Sequence, residues 1–140
     1  MKILLAVDGS AYTRRMMAFV AAHADWLGAR HSYTVMHVSA ALPGRAAAVI
    51  DRAVLKTYYQ GQSDEVFKPL RTFFQRQGIA ASFEARVGSP AFKLSDTADR
   101  SGYDLIMLGS HGRSALGNLV LGSVTTQVLA LCKTPVLVIR

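Results

Sequence analysis

Short apolar runs without polar alternation recur through this chain, and they constrain its fold more than any other feature. Three runs are clear, at 3–7, 105–108 and 136–139, and two weaker ones lie at 33–38 and 81–87. A strand that is apolar on both faces belongs to a sheet covered on both sides, as parallel sheets are. The runs therefore predict five strands of one buried sheet.

Segments with helical periodicity lie between these runs and carry recognisable end signals. Ser10 is placed to cap a first helix that Gly28 ends. Ser89 followed by Pro90 is typical of an N-cap and a first helical residue. Ser123 is predicted to begin the last helix.

One further segment, from 46 to 77, has apolar residues at helical spacing, and Gly61 is predicted to interrupt it. Strands that alternate with helices in this way are joined by right-handed crossovers. The sequence therefore predicts the α/β class, with an open, five-stranded, mostly parallel sheet that is doubly wound and Rossmann-like, with helices on both faces.

Composition narrows the functional classes. The 140 residues, 51% hydrophobic and 18% charged, predict a single globular domain over 1–140. A net charge of +7 is compatible with nucleic acid, a membrane surface or an anionic small ligand. The basic residues are scattered and form no run of five, which argues against nucleic acid and favours the small anion.

The cellular location is predicted from three absences. The opening apolar run is interpreted as a strand and not a leader, because Asp8 follows too early. No apolar run approaches the roughly 18 residues that a membrane span requires. The single cysteine, Cys132, allows no intrachain disulfide. These features predict a cytoplasmic protein without a membrane partner.

A glycine-rich stretch, 109–123, follows the fourth predicted strand and contains four glycines. Open α/β sheets bind ligands at this edge, beyond the carboxyl ends of their strands. Glycine lets backbone N–H groups approach phosphate oxygens and permits unusual dihedral angles. Ser123 opens a helix whose free N–H groups attract anions, and Arg113 adds a cation. The stretch predicts a phosphate site, the alternative being a flexible loop with a helix cap.

The spacing of these glycines resembles the ATP-binding signature of the universal stress protein family. Two residues separate Gly109 from Gly112, and nine separate Gly112 from the pair Gly122-Ser123. Neither a Walker loop nor a dinucleotide fingerprint has this arrangement. Other blocks resemble the family across the chain: Val7-Asp8-Gly9-Ser10, His37-Val38, Val87-Gly88-Ser89-Pro90, Tyr103-Asp104-Leu105-Ile106 and Thr134-Pro135-Val136-Leu137-Val138.

The resemblance implies an adenine nucleotide alpha hydrolase-like fold that binds ATP, and it leaves AMP, ADP and a divalent metal such as magnesium open. It assigns Asp8 to the adenine-ribose end and the backbone of Val38 to the adenine. It also implies a homodimer formed through the last strand, Val136–Ile139. The residues it assigns to the phosphates and the adjoining helix start are Gly109, Gly112, Gly122, Ser123, Val124 and Thr125, with His111 and Arg113 in the same loop.

Several alternatives stay open at this point. Asp8 precedes Gly-Ser and is also placed to cap the following helix, either instead of or together with its contact to the ligand. His37 is expected to be a packing residue, whereas His111 lies inside the loop and fits either role. No catalytic constellation is recognisable, which favours a nucleotide-dependent regulatory module in the stress response. A slow ATPase or phosphate-transferring enzyme is the alternative, and a structural partner protein with an empty pocket is a third.

Overall fold

The computed structural model describes residues 1–113 and 121–140, and in that part of the chain five strands form one sheet. The sheet order is β3-β2-β1-β4-β5, and every neighbouring pair is parallel. This confirms the predicted fold class. The strands are Lys2–Ala6 (β1), Ser32–Ser39 (β2), Ala81–Val87 (β3), Leu105–Gly109 (β4) and Val136–Ile139 (β5).

Helices cover both faces of the sheet. They are Ala11–Ala22 (α1), Ala24–Leu27 (α2), Gly44–Ala48 (α3), Arg52–Gln77 (α4), Pro90–Arg100 (α5) and Ser123–Leu131 (α6). Along β1, Ile3 and Leu5 face a cluster built with α1 and α4, whereas Leu4 faces the cluster built with α5 and α6. All three side chains are fully buried, which explains the uninterrupted apolar run. None of the described helices is long and apolar enough to span a bilayer.

The predicted helix starts are confirmed. Ser10 is the N-cap of α1, and its hydroxyl accepts hydrogen bonds from the N–H groups of Tyr12 and Thr13. Pro90 opens α5, and Ser123 opens α6. The prediction that Gly28 ends the first helix was wrong: α1 ends at Ala22, and Gly28 instead follows the short helix α2.

The predicted interruption at Gly61 was also wrong. Helix α4 runs through Gly61 and even through Pro69. The break between helices lies earlier, where the Asp51 side chain accepts a hydrogen bond from Ala53 N–H at 2.7 Å and caps α4. An interior glycine costs only about 1 kcal/mol, which packing of an apolar stripe readily offsets. The buried stripe consists of Val66, Phe67, Leu70 and Phe74.

An exposed carboxylate ties the loop before β5 to helix α5. Asp99 accepts hydrogen bonds from Lys133 N–H at 3.0 Å and from the N–H and hydroxyl of Thr134 at 2.9 and 2.8 Å. These bonds, the Lys133 N–H first, lower the pKa of Asp99 to about 2. The Cys132 thiol donates to the same oxygen at 3.4 Å, and burial raises its pKa. The last strand is thereby anchored to the helical layer.

Candidate functional site

A cleft of about 540 Å³ lies beyond the carboxyl ends of β1, β2 and β4. The chain passes from β1 to β2 and β3 on one side and then returns to β4 and β5 on the other. Ligands of open α/β sheets bind at such a switch point. All ten residues selected from the sequence line the cleft: Asp8, Val38, Gly109, His111, Gly112, Arg113, Gly122, Ser123, Val124 and Thr125.

The turn from β1 into α1 holds the Asp8 carboxylate in place. Gly9 adopts φ of 76°, which a side chain disfavours, and so lets the chain reverse directly after the strand. Oδ1 of Asp8 accepts from Ser10 N–H at 2.9 Å and from the Thr13 hydroxyl at 3.0 Å. The Thr13 hydroxyl in turn accepts from Asp8 N–H at 3.1 Å. The alternative that Asp8 caps the following helix was wrong, because Ser10 is the N-cap of α1. Asp8 instead fixes the turn before that helix, and it also lines the cleft.

The glycines at the cleft permit close packing of the chain upon itself. A Cβ on Gly109 would lie 2.5 Å from Cβ of Tyr12. A Cβ on Gly112 would lie 2.8 Å from Oδ2 of Asp8. Neither residue, nor Gly122, has a positive φ, so the prediction of unusual dihedral angles was wrong for these three. Gly117 and the rest of 114–120 lie outside the described residues.

Gly122 brings two parts of the loop together. Its N–H donates to Ser110 O at 2.7 Å, and a Cβ there would lie 3.1 Å from Cα of His111. A side chain at Gly122 would therefore press on backbone atoms of the loop. Its effect on binding would be inseparable from its effect on the loop.

The start of α6 presents backbone N–H groups to the cleft. Gly122 is the N-cap and has no side chain to occupy the first-turn donors, and Ser123 is exposed beside them. The Thr125 hydroxyl donates to Gly109 O at 2.8 Å, which fixes the helix start against the end of β4. The N–H groups of a helix's first turn and the helix dipole together favour an anion at such a position.

Arg113 links the two sides of the cleft. Its Nε donates to Asp8 O at 2.6 Å. Among the described lining residues, Arg113 is the one permanent cation and Asp8 the one carboxylate. His111 also lines the cleft, with Nδ1 3.1 Å from the Ser110 hydroxyl and its ring centre 5.2 Å from that of Tyr12.

The β2 side of the cleft is formed by His37 and Val38. His37 is 7% exposed, and its Nδ1 lies 2.8 Å from Val7 O while Nε2 lies 3.3 Å from the Ser39 hydroxyl. Both ring nitrogens thus bond within the protein, which agrees with the predicted packing role. Val38 is half-buried and completes this wall.

Other residues lining the cleft were not selected from the sequence. Thr13 and Pro90 lie in the first turns of α1 and α5, and a rule that searches helix starts next to strand ends would have found them. Gln62 projects from the middle of α4 and has no sequence signal of its own. The remaining ones, Ala6, Val7, Met36, His37, Ala40, Leu94 and Leu108, are strand ends and neighbouring apolar residues.

This arrangement defines an α/β protein with a cleft at the switch point of its sheet and a glycine-lined helix start on one wall. The whole chain, residues 1–140, matches the Universal stress protein family. The protein belongs to that family.

Two curated relatives differ in how much of their length is matched. A universal stress protein of Thermus aquaticus is 30% identical over 139 residues, covering 99% of this chain and 97% of that protein. Universal stress protein MJ0531 of Methanocaldococcus jannaschii is 29% identical over 79 residues. That match covers 56% of this chain and 46% of the relative, so this chain spans less than half of that relative's length.

Solved structures have the same architecture. The hypothetical protein MJ0577 superposes with a TM-score of 0.77 at 26% identity, covering 99% of this chain and 94% of that one. The universal stress protein of Archaeoglobus fulgidus in complex with dAMP has a TM-score of 0.66 at 22% identity. That superposition covers 100% of this chain and 98% of the neighbour.

Proposed function

We propose that this protein binds an adenine nucleotide, with ATP as the preferred ligand, and that the bound nucleotide regulates its interactions in a stress response. One observation carries the proposal: a glycine-lined helix start and the Asp8–Val38 wall border a single cleft of about 540 Å³. A cleft of this size suits a nucleotide, since pockets for ligands of comparable size run to roughly 300–1,000 Å³.

The residues present fit the chemistry of such a ligand. The phosphates would be held by the backbone N–H groups at the start of α6, by the Ser123 hydroxyl and by Arg113. The ribose and adenine would lie toward Asp8 and the backbone of Val38. A magnesium ion that accompanied the triphosphate would be held by the phosphates and water, because Asp8, the one carboxylate among the described lining residues, lies toward the ribose.

The same proposal includes a homodimer formed through β5. The strand lies at one end of the sheet order, so one of its sides has no neighbouring strand within the described residues. Open edges of this kind favour pairing with a second strand. Two copies related by a two-fold axis would close the assembly.

The test places a negative charge at the proposed phosphate site without disturbing the fold. Ser123→Asp puts a carboxylate in the first turn of α6. There the negative charge interacts favourably with the helix dipole but repels the phosphates of a ligand. The matched control is Gln127→Asp, an exposed position of the same helix that does not line the cleft. Calorimetry with ATP should show affinity at least tenfold weaker for Ser123→Asp, about 1.4 kcal/mol, and nearly unchanged for the control.

ADP and AMP, measured on the same three proteins, extend the test. The loss should be largest for ATP, because the triphosphate carries the most negative charge. Equal ATP affinities in folded wild-type and Ser123→Asp protein would exclude the phosphate assignment. Undetectable binding of all three nucleotides to the wild type would exclude the proposed function itself.

A further inference from the structure

A second groove, of about 490 Å³, lies on the opposite edge of the sheet, between α4 and β3. β3 is the last strand in the sheet order, and no described strand lies beyond it. Gly88 N–H donates to Ser39 O at 2.9 Å, so the strand's alternation directs the backbone groups of Glu84 and Arg86 toward β2. The N–H and C=O groups of Phe83 and Ala85 consequently face the open edge.

One wall of this groove contains Arg71, whose guanidinium group stacks on two phenylalanine rings. The Arg71 guanidinium carbon lies 4.3 Å from the ring centre of Phe83 and 5.7 Å from that of Phe67. The two ion pairs found within the described residues are Glu84–Arg86 and Asp96–Arg100, and neither involves Arg71. Stacking orients the guanidinium in advance, and its N–H groups suit a carboxylate.

The charge of the groove is predominantly positive. Lys56, Arg71 and Arg86 line it, against the single acidic lining residue Asp64. Arg86 is partly compensated by its 2.9 Å ion pair with Glu84. Lys56 and Arg71 are therefore the cations best placed to receive acidic groups from a ligand.

The groove has the length of an extended peptide. Lys56 and Arg71 are fifteen residues apart on one helix, which corresponds to about 22 Å at the helical rise. β3 has 7 residues and, at the rise of a strand, spans about 23 Å. A segment of similar length lying along β3 would pass both cations.

We propose that this groove binds an extended, acidic segment of a partner protein, which adds to β3 as a sixth strand. Its backbone pairs with the free groups of Phe83 and Ala85. Its acidic side chains point toward α4 and meet Arg71 and Lys56, and the side chains between them point to the opposite face of the sheet. Many proteins bind an extended peptide by adding it as a strand to an exposed sheet edge. Main-chain hydrogen bonds then give the affinity, and contacts to alternate side chains give the specificity.

A defined peptide tests the charge requirement. The probe is a fluorescently labelled octapeptide, Glu-Val-Glu-Phe-Glu-Val-Glu-Phe, compared with the same sequence carrying Lys in place of Glu. Fluorescence anisotropy should show saturable binding of the acidic probe alone, weaker at high salt. Arg71→Glu should weaken it about tenfold or more. Lys68→Glu is the matched control, because Lys68 is exposed on the same helix and does not line the groove.

Equal losses in Arg71→Glu and Lys68→Glu would mean that net charge alone attracts the peptide, and would overturn the proposal. Failure of the acidic probe to bind the wild type at about millimolar concentration would do the same. The groove and the nucleotide cleft share no lining residue, so the peptide test on Arg71→Glu and the nucleotide test on Ser123→Asp can fail separately.

The strand addition has its own readout. With the acidic peptide bound, the amide protons of Phe83 and Ala85 should exchange with deuterium more slowly in wild-type protein. Ala85→Pro removes an outward N–H without removing a bond to β2, and should abolish peptide binding. Unchanged exchange at both amides would rule out strand addition. Light scattering of Ala85→Pro should match the wild type, whereas a halved mass would assign this edge to a second copy of the chain and overturn the proposal.

Discussion

At the scale of single residues, one threonine hydroxyl organises the carboxylate of the cleft. Thr13 is 3% exposed and bonds both to Oδ1 and to the N–H of Asp8. Thr13→Val has nearly the same shape but loses both bonds, which leaves the half-buried Asp8 N–H without its acceptor. We expect a loss of about 1–3 kcal/mol in the free energy of unfolding, measured by urea titration.

Thr13→Ser distinguishes the role of the Thr13 hydroxyl in positioning Asp8 from the packing of the Thr13 methyl group. Thr13→Ser retains the hydroxyl and should recover most of the lost stability. If Asp8 contacts the nucleotide as proposed, ATP affinity should fall in Thr13→Val and return in Thr13→Ser. Equal stability of the valine and serine variants would show that the hydroxyl does not hold Asp8.

Asp99 makes stability depend on pH in the acid range. Its hydrogen bonds to the loop before β5 lower its pKa from 3.8 to about 2. The folded state therefore favours the ionised carboxylate, and this contribution is fully present above pH 3.8 and is lost as pH falls toward 2. Urea midpoints should decline over that window in the wild type. Asp99→Asn, which has no proton to gain, should start lower and decline less; parallel declines would contradict the assignment.

At the scale of secondary-structure elements, α4 is held together by its buried stripe despite an unfavourable interior. A Cβ on Gly61 would meet no atom within 4 Å, so Gly61→Ala removes a flexible residue without a clash. We expect it to stabilise the protein by about 0.5–1 kcal/mol, measured as a raised urea midpoint.

Gly78 provides the opposite case at the end of the same helix. It also has open space around a Cβ, but its φ is 63°, in the left-handed region. Gly78→Ala should therefore destabilise by about 1–2 kcal/mol. Destabilisation by both variants would indicate that space at Gly61 is tighter than the structure shows.

The elements that were predicted correctly are those whose signal is local. β5 was predicted with its observed limits, and Ser10 and Pro90 mark helix starts because capping chemistry acts within a few residues. Gly61 was misinterpreted because long-range packing of α4 outweighs a local preference. The short helix α2 was missed because its 4 residues offer too few positions for periodicity.

The candidate site follows the same division. The glycine loop and Asp8 were selected because the carboxyl ends of parallel strands lie at the same edge of the sheet. Short motifs that follow such strands can therefore be predicted to lie close together. Gln62 lies far away in sequence and reaches the cleft only through the packing of α4. From the sequence, the glycines of the loop were attributed partly to unusual dihedral angles, whereas Gly109 is needed because Tyr12 packs closely against it. That contact depends on tertiary structure, so the sequence did not reveal it.

At the scale of the whole molecule, the sheet has two open edges with different characters. β3 ends in three exposed residues, Ala85, Arg86 and Val87, and it carries the ion pair between Arg86 and Glu84. β5 is short and entirely apolar, with Val136, Leu137 and Val138 half-buried. An apolar open edge promotes association unless it is covered. The partners that we propose for the two edges differ accordingly: an acidic peptide at β3 and a second copy of the chain at β5.

The proposed homodimer is tested most cleanly at Val138. Ile106 N–H donates to Pro135 O and Ser110 N–H to Ile139 O, so odd-numbered residues of β5 face β4 while Val138 faces outward. Val138→Pro therefore removes an edge N–H and leaves the bonds to β4 intact. Val138→Thr retains both the N–H and the β-branched shape and is the matched control. Light scattering should give twice the chain mass for the wild type and Val138→Thr, and the chain mass for Val138→Pro. A wild type that stays monomeric at micromolar concentration would exclude the dimer, and a Val138→Pro dimer would move its interface away from β5.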